Sequence, residues 1–233
     1  FTGAGVSTDS GIPDYRSQGG IWQRFQPVYY DEFLSDEEKR HLYWERKLAT
    51  WPAIRDAQPG PAHGFAKRLY DEGRLHGLIT QNIDGLHEKS GIDPDVIVNI
   101  HGNTKTIRCT RCGWNTDAGA ILETLDLNEG TPRCPECDGI VKPDTIMFGQ
   151  SLKGEDLYRA QNMAESTDLF IAMGSTLVVH PAAGLPMRAK DAGATLAIIT
   201  KSETPLDEYA DYRFFDSIAT VVTQVQEEMD RQD

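Results

Sequence analysis

Residues 169–199 read LFIAMGSTLVVHPAAGLPMRAKDAGATLAII, with two short apolar runs, Leu169 to Met173 and Leu196 to Ile199, on either side of a helix-length stretch. Runs of this length, rich in β-branched side chains, suit strands that are buried on both faces. Similar runs recur at Leu78-Ile79-Thr80, Val96 to Ile100 and Tyr212 to Phe215, again with helix-length connections between most of them. That alternation predicts an α/β fold: a doubly wound parallel sheet covered by helices on both faces.

Two segments break the rhythm and are expected to be insertions. The first, 18–61, carries Asp36-Glu37-Glu38-Lys39-Arg40 followed by Leu42, Tyr43, Arg46 and Leu48, a charged amphipathic pattern that reads as helices. The second, 102–149, is rich in Gly and Pro and holds all four cysteines. The expected division is therefore a main domain of 1–17, 62–101 and 150–233, with the two insertions forming a smaller one. The cysteines stand as Cys109-x-x-Cys112 and Cys134-x-x-Cys137 with 21 residues between the pairs, close to zinc-ribbon spacing. One structural Zn²⁺ is the leading reading, against two disulfides or four unconnected thiols. Zinc-bound thiolates imply a reduced, intracellular setting.

A net charge of −13 leaves no basic face for phosphates, so direct nucleic-acid binding is not expected. It favours basic partners, weakly. No apolar run approaches the roughly 18 residues of a membrane-crossing helix, so no membrane role is expected. The sequence opens at Phe1-Thr2 and runs straight into Gly3-Ala4-Gly5 with no room for a preceding strand. A missing N-terminal piece is therefore expected, which hides any targeting signal; cytoplasmic location is the leading expectation, with mitochondrial location as the alternative.

Gly3-Ala4-Gly5-Val6-Ser7 sits where a strand should end and a helix begin, and small residues there let backbone approach a pyrophosphate at the helix N-terminus. Many tight strand-to-helix turns share such a triplet without a ligand. Ordinary dehydrogenases follow these glycines with an acid about 20 residues on, at the end of a second strand. Here the chain runs instead into the polar loop Pro13-Asp14-Tyr15-Arg16, which argues against a nicotinamide dehydrogenase.

GAGVSTDSGIPDYRS at 3–17, TQNIDGLHEKSG at 80–91, His101-Gly102, the two cysteine pairs, KPDTIMFG at 142–149 and GSTLVVHPAAGLP at 174–186 follow one another in an order that resembles the sirtuin family. The motifs span nearly all of the chain, and the segment from Tyr43-Trp44-Glu45-Arg46 to Ala62-His63 looks most like the class II subfamily. The resemblance implies a Rossmann-like domain with a zinc-ribbon and helical module. It also implies an NAD-dependent protein-lysine deacylase, a transferase that moves the acyl group to ADP-ribose and releases nicotinamide and free lysine. NAD is then the cosubstrate, acyl-lysine proteins or peptides are the partners, and the chain is expected to be a monomer.

Residue by residue, the resemblance assigns Gly3, Ala4, Gly5 and Ser7 to the NAD phosphates, and Asp14, Tyr15 and Arg16 to a loop over the nicotinamide ribose. Gln81, Asn82, Ile83 and Asp84 would line the nicotinamide pocket. Gly174, Ser175, Thr176, Thr200 and Ile218 would complete the NAD site. On residue type alone, Gln81 to Asp84 could equally be turn chemistry. His101 would be the general base, with Asn82 and Asp84 beside it, because an imidazole suits deprotonating a ribose hydroxyl near neutral pH. His63 and His87 read as structural histidines. Substrate would add as a strand between Ile146-Met147-Phe148-Gly149 and Val178-Val179-His180, the latter also readable as a strand end before a Pro-capped helix.

Two positions depart from the family pattern: Gln150 stands where many relatives carry an acid, and Thr200 where they carry an asparagine; Ile218 falls where the family covers adenine. Tyr43 and Arg46 share a helix face, where the pair could read an acidic acyl chain or, alternatively, Arg46 could bridge to Glu37, Glu38 or Glu45. Acetyl, succinyl and longer acyl groups all stay open. Protein ADP-ribosyl transfer and a zinc-ribbon binding module without turnover are the competing functions.

Overall fold

In the computed structural model, β6 (Leu169–Met173), β7 (Thr195–Ile199) and β8 (Tyr212–Phe214) pair in parallel in that order, and β1 (Leu78–Thr80) pairs in parallel with β2 (Ile97–Asn99). The structure describes residues 1–17 and 19–232; Gln18, the expected first residue of the helical insertion, and Asp233 lie outside the described residues. Phe1-Thr2-Gly3 joins the two strand groups. Thr2 bridges Thr80 on one side and Met173 on the other, both in parallel. Its N–H donates to Ile79 O at 2.9 Å, Gly3 N–H donates to Met173 O at 2.9 Å, and Gln81 N–H donates to Thr2 O at 2.9 Å. The sequence reading found no room for a strand before the glycine turn. In keeping with that, Thr2 forms only a single bridge on each side rather than a strand, and the edges of β1 and β6 supply its backbone partners.

Alternating side chains of this sheet enter two different cores. On one face, Ile79, Val98, Leu196 and Ile198 meet α7 (Gly154–Glu165) and α8 (Leu185–Asp191) across the small residues Ala160, Ala164 and Ala189. On the other face, Met173 and Ile199 pack with Phe65 of α4 (Pro61–Asp71) and Val221 and Val222 of α9 (Ile218–Gln232). The expected doubly wound α/β architecture is present.

The turn after Gly3 differs from the α-helix expected there: Ala4–Ser10 is a 3-10 run closed by Gly11 at φ 83°. Val, Ser, Thr and Asp crowd this stretch, and they are poor helix formers or compete for backbone hydrogen bonds. The glycines before it answer to packing. A Cβ on Gly3 would lie 2.8 Å from Gly174 O, and one on Gly5 would lie 2.8 Å from Gly174 Cα. Two loops thus meet backbone to backbone at the C-terminal edge of the sheet.

Elements from the two insertions share a core of their own. From the first insertion come α1 (Ile21–Arg24), α2 (Tyr30–Ser35) and α3 (Glu37–Asp56). Asp36 caps α3, its side chain accepting the Glu38 and Lys39 N–H groups. From the second come β3 (Gly102–Cys109), β4 (Asn115–Asp117) and β5 (Val141–Thr145), an antiparallel sheet in the order β4-β3-β5, with α6 (Ala118–Leu122). Phe33, Tyr43 and Trp44 of the first insertion share one core with Ile107, Cys109, Cys134 and Val141 of the second. The two bodies join at Gly102, which has φ 75° and where a Cβ would lie 1.9 Å from Asp144 O. Only glycine fits that approach.

Candidate active site

The segment Phe1 to Gly3 bridges β1 on one side and β6 on the other through Thr2, so the crevice at its C-terminal end is the switch point where ligands of open α/β sheets bind. Three side chains from separate segments meet there. Ser7 Oγ donates to Asp84 Oδ2 at 2.8 Å, and Asn82 Nδ2 donates to Ser7 Oγ at 3.1 Å. The other carboxylate oxygen of Asp84 accepts the Leu86 N–H at 2.9 Å. All three side chains are buried. Buried groups of this kind are retained when their hydrogen bonds are made, and this set is made while the carboxylate keeps lone pairs for a further donor.

His101 follows β2. Its Nδ1 lies 3.2 Å from Gln81 O. A carbonyl only accepts, so Nδ1 carries the proton and Nε2 is left as a bare base. Burial pushes the imidazole below its ordinary value, with the Gln81 contact opposing it. The ring is therefore neutral near pH 7. Gln81 also accepts from Ser175 Oγ at 2.7 Å through its side chain, which ties the loop after β1 to the loop after β6.

The other expected residues are placed as follows. Asp14 folds back on its own loop, Oδ1 accepting the Arg16 and Ser17 N–H groups at 2.9 and 2.8 Å. The Tyr15 phenol is pushed up to about 12 by burial, with the Asp84 charge adding to it. Ile83 O accepts both the N–H and the hydroxyl of Thr104, at 2.9 and 2.7 Å. Thr176 follows Ser175 in the loop after β6. Thr200 follows β7 with its N–H on Phe214 O at 3.2 Å, and Ile218 opens α9 within the core.

Neither expected peptide-binding segment is itself a strand. β5 stops at Thr145, and Ile146 N–H donates to His101 O at 2.8 Å. Met147 is buried, Phe148 is 40% exposed, and Gly149 turns the chain at φ 81°. Gln150 closes this turn, its Oε1 accepting the Met147 N–H at 3.2 Å. In the second segment, Val178 is 47% exposed, and Val179 O accepts the Ala183 N–H at 2.9 Å as the chain enters a 3-10 turn ahead of α8. The strand end expected at 178–180 is thus a loop.

Arg46 forms no salt bridge with Glu37, Glu38 or Glu45 among the described residues. Its Nη1 donates to Gln26 O, and its guanidinium lies 5.4 Å from the Phe25 ring centroid. Glu37 is instead engaged by Arg40, Arg133 and Thr131. Tyr43 is buried, and its hydroxyl lies beside Thr145 without completing a hydrogen bond; burial pushes the phenol up.

The four cysteine sulfurs lie within 4.8 Å of one another, with Cys109 to Cys137 and Cys112 to Cys134 both at 3.6 Å. These separations are far too long for disulfides. Thiolates about 2.3 Å from a tetrahedral zinc lie about 3.8 Å apart, so the cluster fits that ion. Four thiolates close its coordination shell.

The sequence model of the Sir2 family matches residues 3–181, which include the glycine turn, Ser7, Asn82, Asp84, His101 and all four cysteines. The chain belongs to the Sir2 family. Among curated relatives of this sirtuin, an NAD-dependent protein deacetylase of Rhodopseudomonas palustris is 45% identical over 211 residues, covering 91% of this chain and 83% of that protein. One of Thermodesulfovibrio yellowstonii is 39% identical over 225 residues, covering 97% and 87%. A solved Sir2 complex with a p53 peptide and NAD⁺ superposes with a TM-score of 0.85 at 31% identity, covering 97% of this chain and 90% of that one. A mutant Sir2 homologue in complex with ADP-ribose gives 0.88 at 32% identity, covering 98% and 91%.

Sequence reasoning passed over part of this sirtuin's polar interior. Thr2 Oγ1 donates to Thr80 Oγ1 at 2.8 Å, Thr80 Oγ1 accepts the Asn82 N–H at 3.0 Å, and Thr2 Oγ1 contacts His87 Nε2 at 2.9 Å. Thr80 closes the run Leu78-Ile79-Thr80, and Thr2 stands between Phe1 and Gly3. A polar residue at a buried strand position was the one available signal.

Proposed function

We propose that this chain is an NAD-dependent protein-lysine deacylase that releases nicotinamide and free lysine and transfers the acyl group to ADP-ribose. The observation that carries the reading is the His101 tautomer: Nδ1–H on Gln81 O leaves Nε2 free to take a proton from a ribose hydroxyl. NAD, when bound, supplies an anomeric carbon that the acyl oxygen of the substrate attacks as nicotinamide departs. Asp84 offers its remaining lone pairs to the nicotinamide carboxamide, held in place by Ser7 and the Leu86 N–H. Asn82 orients Ser7. Gly3, Ala4, Gly5, Gly174, Ser175 and Thr176 take the phosphate side, and the loop of Asp14, Tyr15 and Arg16 shields the reacting centre from water.

The exposed Phe148 and Val178 mark the two walls between which an acyl-lysine segment of a protein or peptide lies. Tyr43 keeps an unused hydroxyl toward the acyl end, whereas Arg46 is already occupied; that favours a neutral acyl chain over a dicarboxylic one. Residues 1–17, 62–101 and 150–233 form the NAD-binding unit, and 18–61 with 102–149 form the smaller one, a division supported by their separate cores. The zinc holds the small unit and takes no part in the chemistry, since catalytic zinc needs an open position. The enzyme works as a monomer in a reducing, cytoplasmic setting, away from nucleic acid and membranes. No helix among the described residues is long and apolar enough to cross a membrane.

The test is mass spectrometry of peptides bearing acetyl-, succinyl- or long-chain acyl-lysine, incubated with NAD and either wild type or His101→Ala. Loss of acyl mass with one nicotinamide released per lysine, abolished by the substitution, is expected. Transfer of ADP-ribose to protein with no deacylation would replace this reading with a transferase.

A further inference from the structure

Hydrogen-bond directions around Thr2 and Thr80 leave one proton assignment for His87. Thr80 Oγ1 accepts from Asn82 N–H and from the Thr2 hydroxyl. Thr2 has then spent its single proton, so its 2.9 Å contact with His87 Nε2 requires that nitrogen to donate. His87 is the Nε2–H tautomer, and its Nδ1 is a bare lone pair, buried and without a partner.

His63 is the opposite case. Its Nδ1 accepts the Gly60 N–H at 3.0 Å, so its proton sits on Nε2, which is also buried and unpartnered. The two rings are fully buried, with centroids 4.7 Å apart. A surplus donor and a surplus acceptor are thus kept side by side away from bulk water. Unmade hydrogen bonds in such a place are destabilising. Leucine would pack there without that cost, so packing alone does not explain the imidazole at position 87.

We propose that His87 is a positioning residue for the nicotinamide pocket: as the Nε2–H tautomer it fixes the Thr2 and Thr80 hydroxyls, which hold the Asn82 backbone and aim the Asn82 side chain at Ser7, the partner of Asp84. The proposal rests on the deacylase reading of that pocket. His87 touches none of the reacting atoms. It acts through Thr2, the central residue of the sheet, and Thr80, the last residue of β1. The tautomer requires a neutral ring, and burial holds both histidines below their ordinary value.

Two measurements on the full chain test it. In the unliganded, ¹⁵N-labelled protein, long-range ¹⁵N–¹H correlations are expected to show His87 protonated at Nε2 and bare at Nδ1. A fixed Nδ1–H ring, an imidazolium or a rapidly averaging pair of tautomers overturns the proposal. In kinetics, His87→Leu is expected to raise the KM for NAD and for nicotinamide exchange by roughly tenfold, the size of one lost hydrogen bond, with the peptide KM changed less than about twofold. His87→Gln can place an amide N–H on the Thr2 oxygen and is expected to restore most of that loss.

An unchanged NAD KM in the leucine variant, or a glutamine variant no better than leucine, overturns it. Should the leucine variant fail to fold, the glutamine variant and the tautomer decide. A wild-type chain that deacylates nothing would sink the deacylase reading instead, and the two failures are separable because the tautomer is read without turnover.

Discussion

His101 shows how one backbone carbonyl sets the chemistry of a side chain. Because Gln81 O takes the Nδ1 proton, Nε2 is available as a base, and because burial disfavours the charged ring, it stays available below the usual imidazole range. The acid limb of kcat/KM against pH is therefore expected to have its midpoint below 6.5. His101→Ala should lower turnover by about 10²–10⁴-fold while leaving the melting temperature nearly unchanged. A limb centred above 6.5 would contradict the environment described. His63 and His87 produce a stability effect of the same origin. Their folded values are depressed from the ordinary 6.5, so the unfolded chain binds protons that the folded chain does not as the pH falls below 6.5. Stability is fully present above that pH and is lost on acidification, by up to about 1.4 kcal/mol per pH unit for each ring. Urea midpoints at pH 7.5 and 5.5 would measure it, with a flatter dependence expected in His87→Gln. At this scale His101 was legible through the glycine that follows it. The contact of Ser7 with Asp84, which spans 77 residues, was not, because no local pattern encodes a partner that far away.

The zinc-ribbon strands and α3 stabilise each other, so metal and helix should be lost together. Cys109 and Cys134 are part of the core that holds Phe33, Tyr43 and Trp44. A strong chelator, or Cys134→Ser, is expected to melt β3 to β5, loosen α3, red-shift the fluorescence of the buried Trp44 and abolish activity. Replacing zinc with cadmium, which also accepts four thiolates, should keep activity, and its failure to do so would argue for a chemical role of the metal. Gly102 is the joint between the two bodies. Gly102→Ala forces a positive φ on a residue with a Cβ and drives that Cβ into Asp144 O, with a cost of about 1–3 kcal/mol or more. It should lower kcat beyond what stability explains, because His101 is the preceding residue and its carbonyl holds Ile146. The cysteine pairs could be read from spacing, since the ion dictates it. The bridge at Thr2 could not: three residues are too few for any periodicity, and the bridge exists because β1 and β6 offer edges to it.

Across the whole molecule, two segments that leave the main sheet at different points return to a single core, and the proposed substrate path runs where that core meets the sheet. Composition gave no sign of this pairing, because the contacts of Tyr43 and Trp44 with Ile107 and Val141 are set by tertiary packing rather than by local pattern. The net charge of −13, by contrast, is legible in the sequence and acts on the assembled surface. A long-range field of that sign raises the encounter rate of cationic peptides and lowers that of anionic ones, and it is screened over about 10 Å at 0.1 M salt. Near the peptide path itself, Gln150 is neutral and turned inward to the Met147 N–H, so no carboxylate at that position adds a short-range contact. The two effects separate by salt. Acyl-lysine peptides flanked by Lys or Arg are expected to show a KM a few-fold lower than peptides flanked by Glu at low ionic strength, and the gap should close near 0.5 M salt. Gln150→Glu should reopen part of that gap at high salt, because a carboxylate close to the bound peptide is screened less than the distant field. Equal KM values for the two peptides at low salt would show that the surface charge does not reach the substrate path at all.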